Sequence, residues 1–242
     1  NVAFREPESR ADQTRMMSIV TTGPETGYYI DVFRSRKEQG GDKMHDYFYH
    51  NLGQTMTLTA ADGTDLNLQP TEELAFAGAH LYAYSYLYDK KVAATDKDVK
   101  VTFTIDMKDK DGDDISMNLW MKGEPEREVF TALAPMTEGL SRIPGMPYNI
   151  KEHPPLTFVA RQHGEAWNRP FVAVYEPSTR KEPSAIEAVS FFDAEEAGLK
   201  DFAGICVESK NGRTDHIFSL SDSSQTATYR GMKVKADYAV IS

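Results

Sequence analysis

Cysteine is almost absent: Cys206 stands alone in 242 residues, so no internal disulfide can form. It lies in the apolar run 203–207 and reads as a small core side chain. No stretch approaches the roughly 20 consecutive apolar residues that a membrane-spanning helix needs, so no membrane partner is expected. Basic residues are outnumbered, 27 Lys and Arg against 37 Asp and Glu, giving a net charge of -10. A protein that tracks nucleic-acid phosphates concentrates Lys and Arg, so no nucleic-acid partner is expected either. A Gly-rich phosphate loop, an HExxH helix and a GxSxG elbow are all missing. The start NVAFREPESR lacks the apolar centre of a signal peptide, and Asn1 in place of an initiator methionine implies a processed protein or an excised piece.

What is present is a 40% hydrophobic chain, long enough to bury a large core as one or two domains. Residues 1–13 are charged and unpatterned and read as an irregular lead-in. Short strands follow at 14–20, 28–34, 44–50 and 54–60. The pair 28–34 and 44–50 is the most distinctive, two aromatic-rich runs joined by 35–43 with Gly40, Gly41 and Asp42, the chemistry of a hairpin-type connection. In LYAYSYLY, residues 81–88, strict alternation predicts a strand with Tyr82, Tyr84, Tyr86 and Tyr88 on one face. Strands at 99–107 and 115–121 flank KDKDGDD, a hairpin with Asp111 and Gly112 at its tip. An EF-hand loop aligned there would place Met107 and Asn118 at its first and last ligand positions, so calcium is not expected.

Further strands are predicted at 129–133, 156–162, 171–176, 186–192, 203–209, 214–220, 226–230 and 236–241, with Asn211 and Gly212 as a turn. Short strands, frequent turns and no long amphipathic helix predict an all-β fold: an antiparallel, two-sheet, supersandwich-like β-sandwich with a smaller C-terminal β subdomain. The expected division is 1–125 for the main sandwich, 126–155 for a proline-rich connection, and 156–242 for a C-terminal portion that belongs either to the same domain or to its own.

Candidate chemistry is sparse. On a regular strand His45 shares a face with Tyr47 and Tyr49, offering a base and phenolic acids, while His50 lies opposite with Met44, Asp46 and Phe48. On a regular strand the two histidines therefore cannot ligate one metal, though a bulge would realign them, and packed or hydrogen-bonded imidazoles are the simpler reading. The tyrosine stripe suits either a platform for sugar rings or a row of cross-strand packing partners. Arg34, Arg36 and Lys37 form a basic cluster fit for a uronate or sulfate, or simply for a solvated surface. Asp215 and His216 are adjacent on a strand, so they face opposite ways and make no catalytic pair, and Ser219 and Ser221 are no better placed.

Taken in order, GYYIDVFR, a glycine-bearing turn and HDYFYH resemble the "D-x-F-R, Gly, H-D-x-x-x-H" stretch of the heparinase II/III-like C-terminal region of polysaccharide lyases. AHLYAYSYLYDKKVA, FVAVYEP and NGRTDHIFS are similar to three later segments of that region, so the resemblance runs from Thr14 to Ser242. It implies action on uronate-containing glycans by β-elimination, with an acidic polysaccharide as partner and a periplasmic or secreted location. In such lyases the catalytic Tyr and Asn or His come from an N-terminal helical toroid, aided by a histidine and often zinc early in the β region. The His-x-His and His-Asn elements of that region have no match here. The expectation is an accessory β region with no metal or cofactor of its own, acting beside a helical toroid. The alternatives are a free-standing carbohydrate-binding module and a β-eliminating lyase with its site at His45, Tyr47 and Tyr49. The expected glycan contacts are Arg34, His50, Tyr82, Tyr84, Tyr86 and Tyr88.

Overall fold

The computed structural model of the chain describes residues 1–75, 79–107, 113–136 and 153–242. In chain order the strands begin with β1 (Val2–Arg5), β2 (Asp12–Thr21), β3 (Gly27–Arg36), β4 (Met44–Asn51), β5 (Thr55–Ala60) and β6 (Gln69–Pro70). A 3-10 helix (Ala79–Tyr86) leads into β7 (Tyr88–Ala94), β8 (Val99–Ile105), β9 (Ile115–Met121) and β10 (Arg127–Leu133). Then come β11 (Leu156–His163), β12 (Ala166–Thr179), β13 (Ile186–Phe192), β14 (Phe202–Ser209), β15 (Thr214–Leu220), β16 (Ala227–Tyr229), β17 (Met232–Val234) and β18 (Tyr238–Ile241).

These strands stack as an antiparallel β-sandwich with an added layer. A central seven-stranded sheet runs β1-β2-β3-β12-β9-β8-β5, a five-stranded sheet runs β4-β11-β10-β7-β6, and a four-stranded sheet runs β13-β14-β15-β18. One core, with Phe103, Leu119, Phe158 and Phe171, fills the space between the central and five-stranded sheets. A second, with Tyr28, Ile30, Val174 and Ile205, joins the opposite face of the central sheet to the four-stranded one. The middle strands are thus covered on both faces, which is why FVAVYEP is apolar at successive positions: Phe171, Ala173 and Tyr175 enter the first core while Val172 and Val174 enter the second. The small β16-β17 hairpin and its neighbours close a third cluster over Phe192, Phe202 and Phe218.

Several expectations need correction. The lead-in contains β1, paired with β2. Residues 35–43 are not a hairpin: β3 pairs with β2 and β12, whereas β4 pairs with β11 in the other sheet. Both edges of β3 are taken, so the chain must arch across to the next layer, and Gly40 and Gly41 make the passage with φ of 88° and 75°. Residues 81–86 are not a strand. They belong to the 3-10 helix, and pairing begins only at Tyr88. Tyr84 and Leu87, three apart, turn inward over Phe130 and Val159 on the outer face of the five-stranded sheet, as a three-residue repeat requires. The strand expected at 129–133 inside the proline-rich segment is present as β10, which pairs with β7 and β11. The 108–112 hairpin tip and residues 137–152 fall outside the described residues.

Candidate functional site

β4 is an edge strand of the five-stranded sheet, and the side chains it projects to its two faces have different fates. On the inner face Tyr47 is buried and Tyr49 packs against Phe103 and Tyr175. Below them lies Asp31 of β3, completely buried. Its carboxylate accepts Arg15 Nε at 2.9 Å, Arg15 Nη2 at 2.5 Å and the Tyr47 hydroxyl at 2.5 Å, and Tyr47 also bonds the Tyr175 hydroxyl. Desolvation drives the Tyr47 phenol well above its ordinary pKa, with the neighbouring Tyr175 and Asp31 adding to it. Such a phenol stays protonated and inward, a polar rivet between two sheets.

Around the free edge of β4 the surface opens into a cleft of about 620 Å³. It is lined by Gln13, Phe33 and Ser35, by the 40–43 arch with His45, and by Tyr84 and Arg161. Arg161 grips Asp46 in a fork, Nε to Oδ1 at 2.7 Å and Nη2 to Oδ2 at 2.8 Å, and the Tyr84 hydroxyl donates to the same carboxylate at 2.8 Å. Tyr84 meets Phe48 edge-on at 5.1 Å and also lines a second, apolar cavity of about 470 Å³ with Phe48, His50, Tyr86 and Pro135. The two hollows share Tyr84 as a lining residue.

Sequence-derived candidates are distributed unevenly between these hollows. His45 lines the cleft with Nε2 2.6 Å from Asp42 Oδ1, while Tyr47 and Tyr49 belong to the core, so the three do not assemble an open acid-base site. His50 lines the apolar cavity, and its Nδ1 lies 2.8 Å from Thr157 Oγ1. Tyr82 and Tyr86 are exposed on the 3-10 helix with rings 6.4 Å apart, and Tyr88 is exposed on β7. Arg34 points the other way, buried between the central and four-stranded sheets, where it donates to the Asp201 carbonyl at 2.9 Å and desolvation lowers its pKa to about 10. Its place in the basic cluster is therefore structural: Arg36 stacks over Trp167 at 4.2 Å, and of the three only Lys37 reaches the cleft. Asp215 is a buried brace between layers, accepting Tyr28 and Arg213 at 2.8 Å each, whereas His216 lies near Phe192 and Tyr229. Among the described residues no group of three or more His, Cys, Asp or Glu side chains is arranged to hold a metal ion.

Sequence reasoning missed Asp31, Arg15, Asp46 and Arg161. A lone carboxylate inside the apolar run GYYIDVFR was the available signal for Asp31, since a buried acid demands partners.

Desolvation lowers the pKa of His50. The folded state therefore binds fewer protons than the unfolded one, so stability is complete above the ordinary histidine value of about 6.5, declines as pH falls below it and levels off below the folded pKa. The expected result is that His50→Gln flattens this part of the stability profile, read by urea unfolding at a series of pH values.

Comparison with known proteins bears on the whole chain at once. It is 32% identical over 239 residues to an endo-acting ulvan lyase from Formosa agariphila, an alignment covering 96% of this chain and 27% of that enzyme. The chain is related to a polysaccharide lyase. It spans only about a quarter of that lyase's length, and no family model matches it.

Proposed function

We propose that the chain is the all-β accessory part of a polysaccharide lyase-like protein acting on uronate-containing glycans, and that it holds the sugar chain without carrying out elimination itself. The observation that supports the lyase-like part of this reading is the 32% identity along 96% of the chain, and the accessory part rests on the placement of the β4 side chains. Elimination removes the proton at C5 of the uronate, shifts the electron pair to form the C4–C5 double bond and expels the glycosidic oxygen. A base for that step needs an exposed, hydrogen-bond-range approach to C5. Tyr47 is buried and its hydroxyl is engaged by Asp31, which weighs against it as the catalytic acid or base of that strand. On this reading the base lies on a helical toroid acting with this chain, in a periplasmic or secreted protein.

The test is a lyase assay on the 242-residue chain, following the ultraviolet absorbance of unsaturated uronate with ulvan, heparan sulfate, alginate and hyaluronan, beside a binding titration with the same glycans. A flat absorbance trace with measurable binding is expected. Steady product formation, abolished by His45→Gln, would sink the accessory reading. A second reading, a free-standing carbohydrate-binding module, is favoured by the exposed Tyr82 and Tyr86 rings beside the apolar cavity. Changing both to Ala is expected to weaken glycan binding roughly tenfold, at about 0.5–1.5 kcal/mol per stacking ring, with no change in melting temperature.

A further inference from the structure

The cleft's charges are not equally occupied. Asp42 accepts the Lys37 backbone N–H at 2.5 Å and faces His45 at 2.6 Å, Asp46 is held by Arg161 and Tyr84, and Glu6 accepts the backbone N–H of Glu8 and Ser9. The Lys37 and Lys43 side chains, both lining the cleft, have no ion-pair partner among the described residues. Among the residues lining the same cleft, the wholly buried Ser35 carries a hydroxyl with no hydrogen-bond partner. A buried, unmatched hydroxyl is uncommon in a folded protein and takes a partner from outside the chain, an ordered water or a ligand hydroxyl. The arch next to it is open: a Cβ placed on Gly41 would touch nothing within 4 Å, so its backbone is accessible.

We propose that this cleft is a subsite for one acidic sugar residue, whose anionic group lies toward Lys37 and Lys43 and whose ring hydroxyls meet Ser35. An acidic sugar presents one anion and several hydroxyls, and the cleft presents two lysines without an ion-pair partner among the described residues together with an unmatched serine hydroxyl. Its volume of about 620 Å³ falls within the roughly 300–1,000 Å³ typical of small-ligand sites. The proposal rests on the glycan-holding reading above and gives it a residue-level site. The anion can be a uronate carboxylate or a sulfate ester, which share the chemistry that lysine recognises.

The experiment is calorimetric titration of the full chain with size-defined ulvan and heparan sulfate oligosaccharides, intact, carboxyl-reduced or desulfated. Lys37→Ala with Lys43→Ala is expected to raise the dissociation constant roughly tenfold or more, while Lys233→Ala with Lys235→Ala, which removes the same charge elsewhere, leaves it unchanged. Ser35→Ala is expected to weaken binding several-fold without lowering the melting temperature, because its hydroxyl has no internal partner to lose. Loss of affinity on carboxyl reduction assigns the uronate to the lysines, and loss on desulfation assigns the sulfate. Wild-type binding that survives the Lys37 and Lys43 changes, or falls equally with the Lys233 and Lys235 changes, overturns the subsite alone. A wild-type chain that binds no acidic glycan overturns the glycan-holding reading, and the subsite with it.

Discussion

Asp31→Ala is expected to lower the unfolding free energy by about 3–5 kcal/mol, the scale on which breaking one side of a buried charge pair acts. The carboxylate is completely buried and gathers Arg15 and Tyr47, with Tyr175 behind. Removing it strands two phenols between sheets and leaves Arg15 with no fork to grip. The measurement is the urea midpoint, with an unchanged slope as evidence that the unfolding transition itself is the same. A loss under about 1 kcal/mol would mean that Arg15, whose side chain is 45% exposed, turns to solvent and the phenols repair themselves. Asp31→Asn, which keeps the shape and one acceptor, is expected to fall between the two.

Gly123→Ala is expected to cost about 3 kcal/mol or more, the upper end of overpacking effects. The reason is space rather than backbone angle: an added Cβ would run into the backbone of Asp96 and Lys97 in the β7–β8 turn. That turn is held in register, since the Gly123 N–H donates to Asp98 Oδ1 at 2.7 Å, so it cannot retreat cheaply. In a chain of this size the loss corresponds to a melting temperature roughly 6–12 °C lower. Gly41→Ala supplies the contrast, because its Cβ meets nothing while its φ is 75°. It is expected to cost only about 1 kcal/mol, the conformational penalty alone. Equal losses at the two sites would show that the turn at 96–97 gives way.

The strands around Ile186–Phe192 and Thr214–Leu220 were legible to the residue because β-branched and aromatic runs end sharply at turn residues. The arch after β3 was not legible. Local chemistry at Gly40 and Gly41 says only that the chain turns, and which sheet receives β4 depends on β12 claiming the second edge of β3 from far along the sequence. LYAYSYLY misled for a related reason. Alternation marks a strand only where a neighbouring strand pairs with it, and there the spacing of Tyr84 and Leu87 against Phe130 and Val159 decided the backbone instead. The alternation of β4 itself was readable, down to Tyr47 and Tyr49 sharing a face. What could not be read was that this face points inward, which turned two catalytic candidates into core and left His45 on the cleft.

The place of β3 in the central sheet also has a temporal side. Phe33 lies opposite Phe171, a partner made about 140 residues later. At ribosomal speeds of about 5–20 residues per second, β3 waits roughly 7–30 s with one edge open and apolar side chains on both faces. A nascent chain in that state is a target for strand pairing with its neighbours, so the protein's yield is governed by whatever shields that edge until β12 emerges.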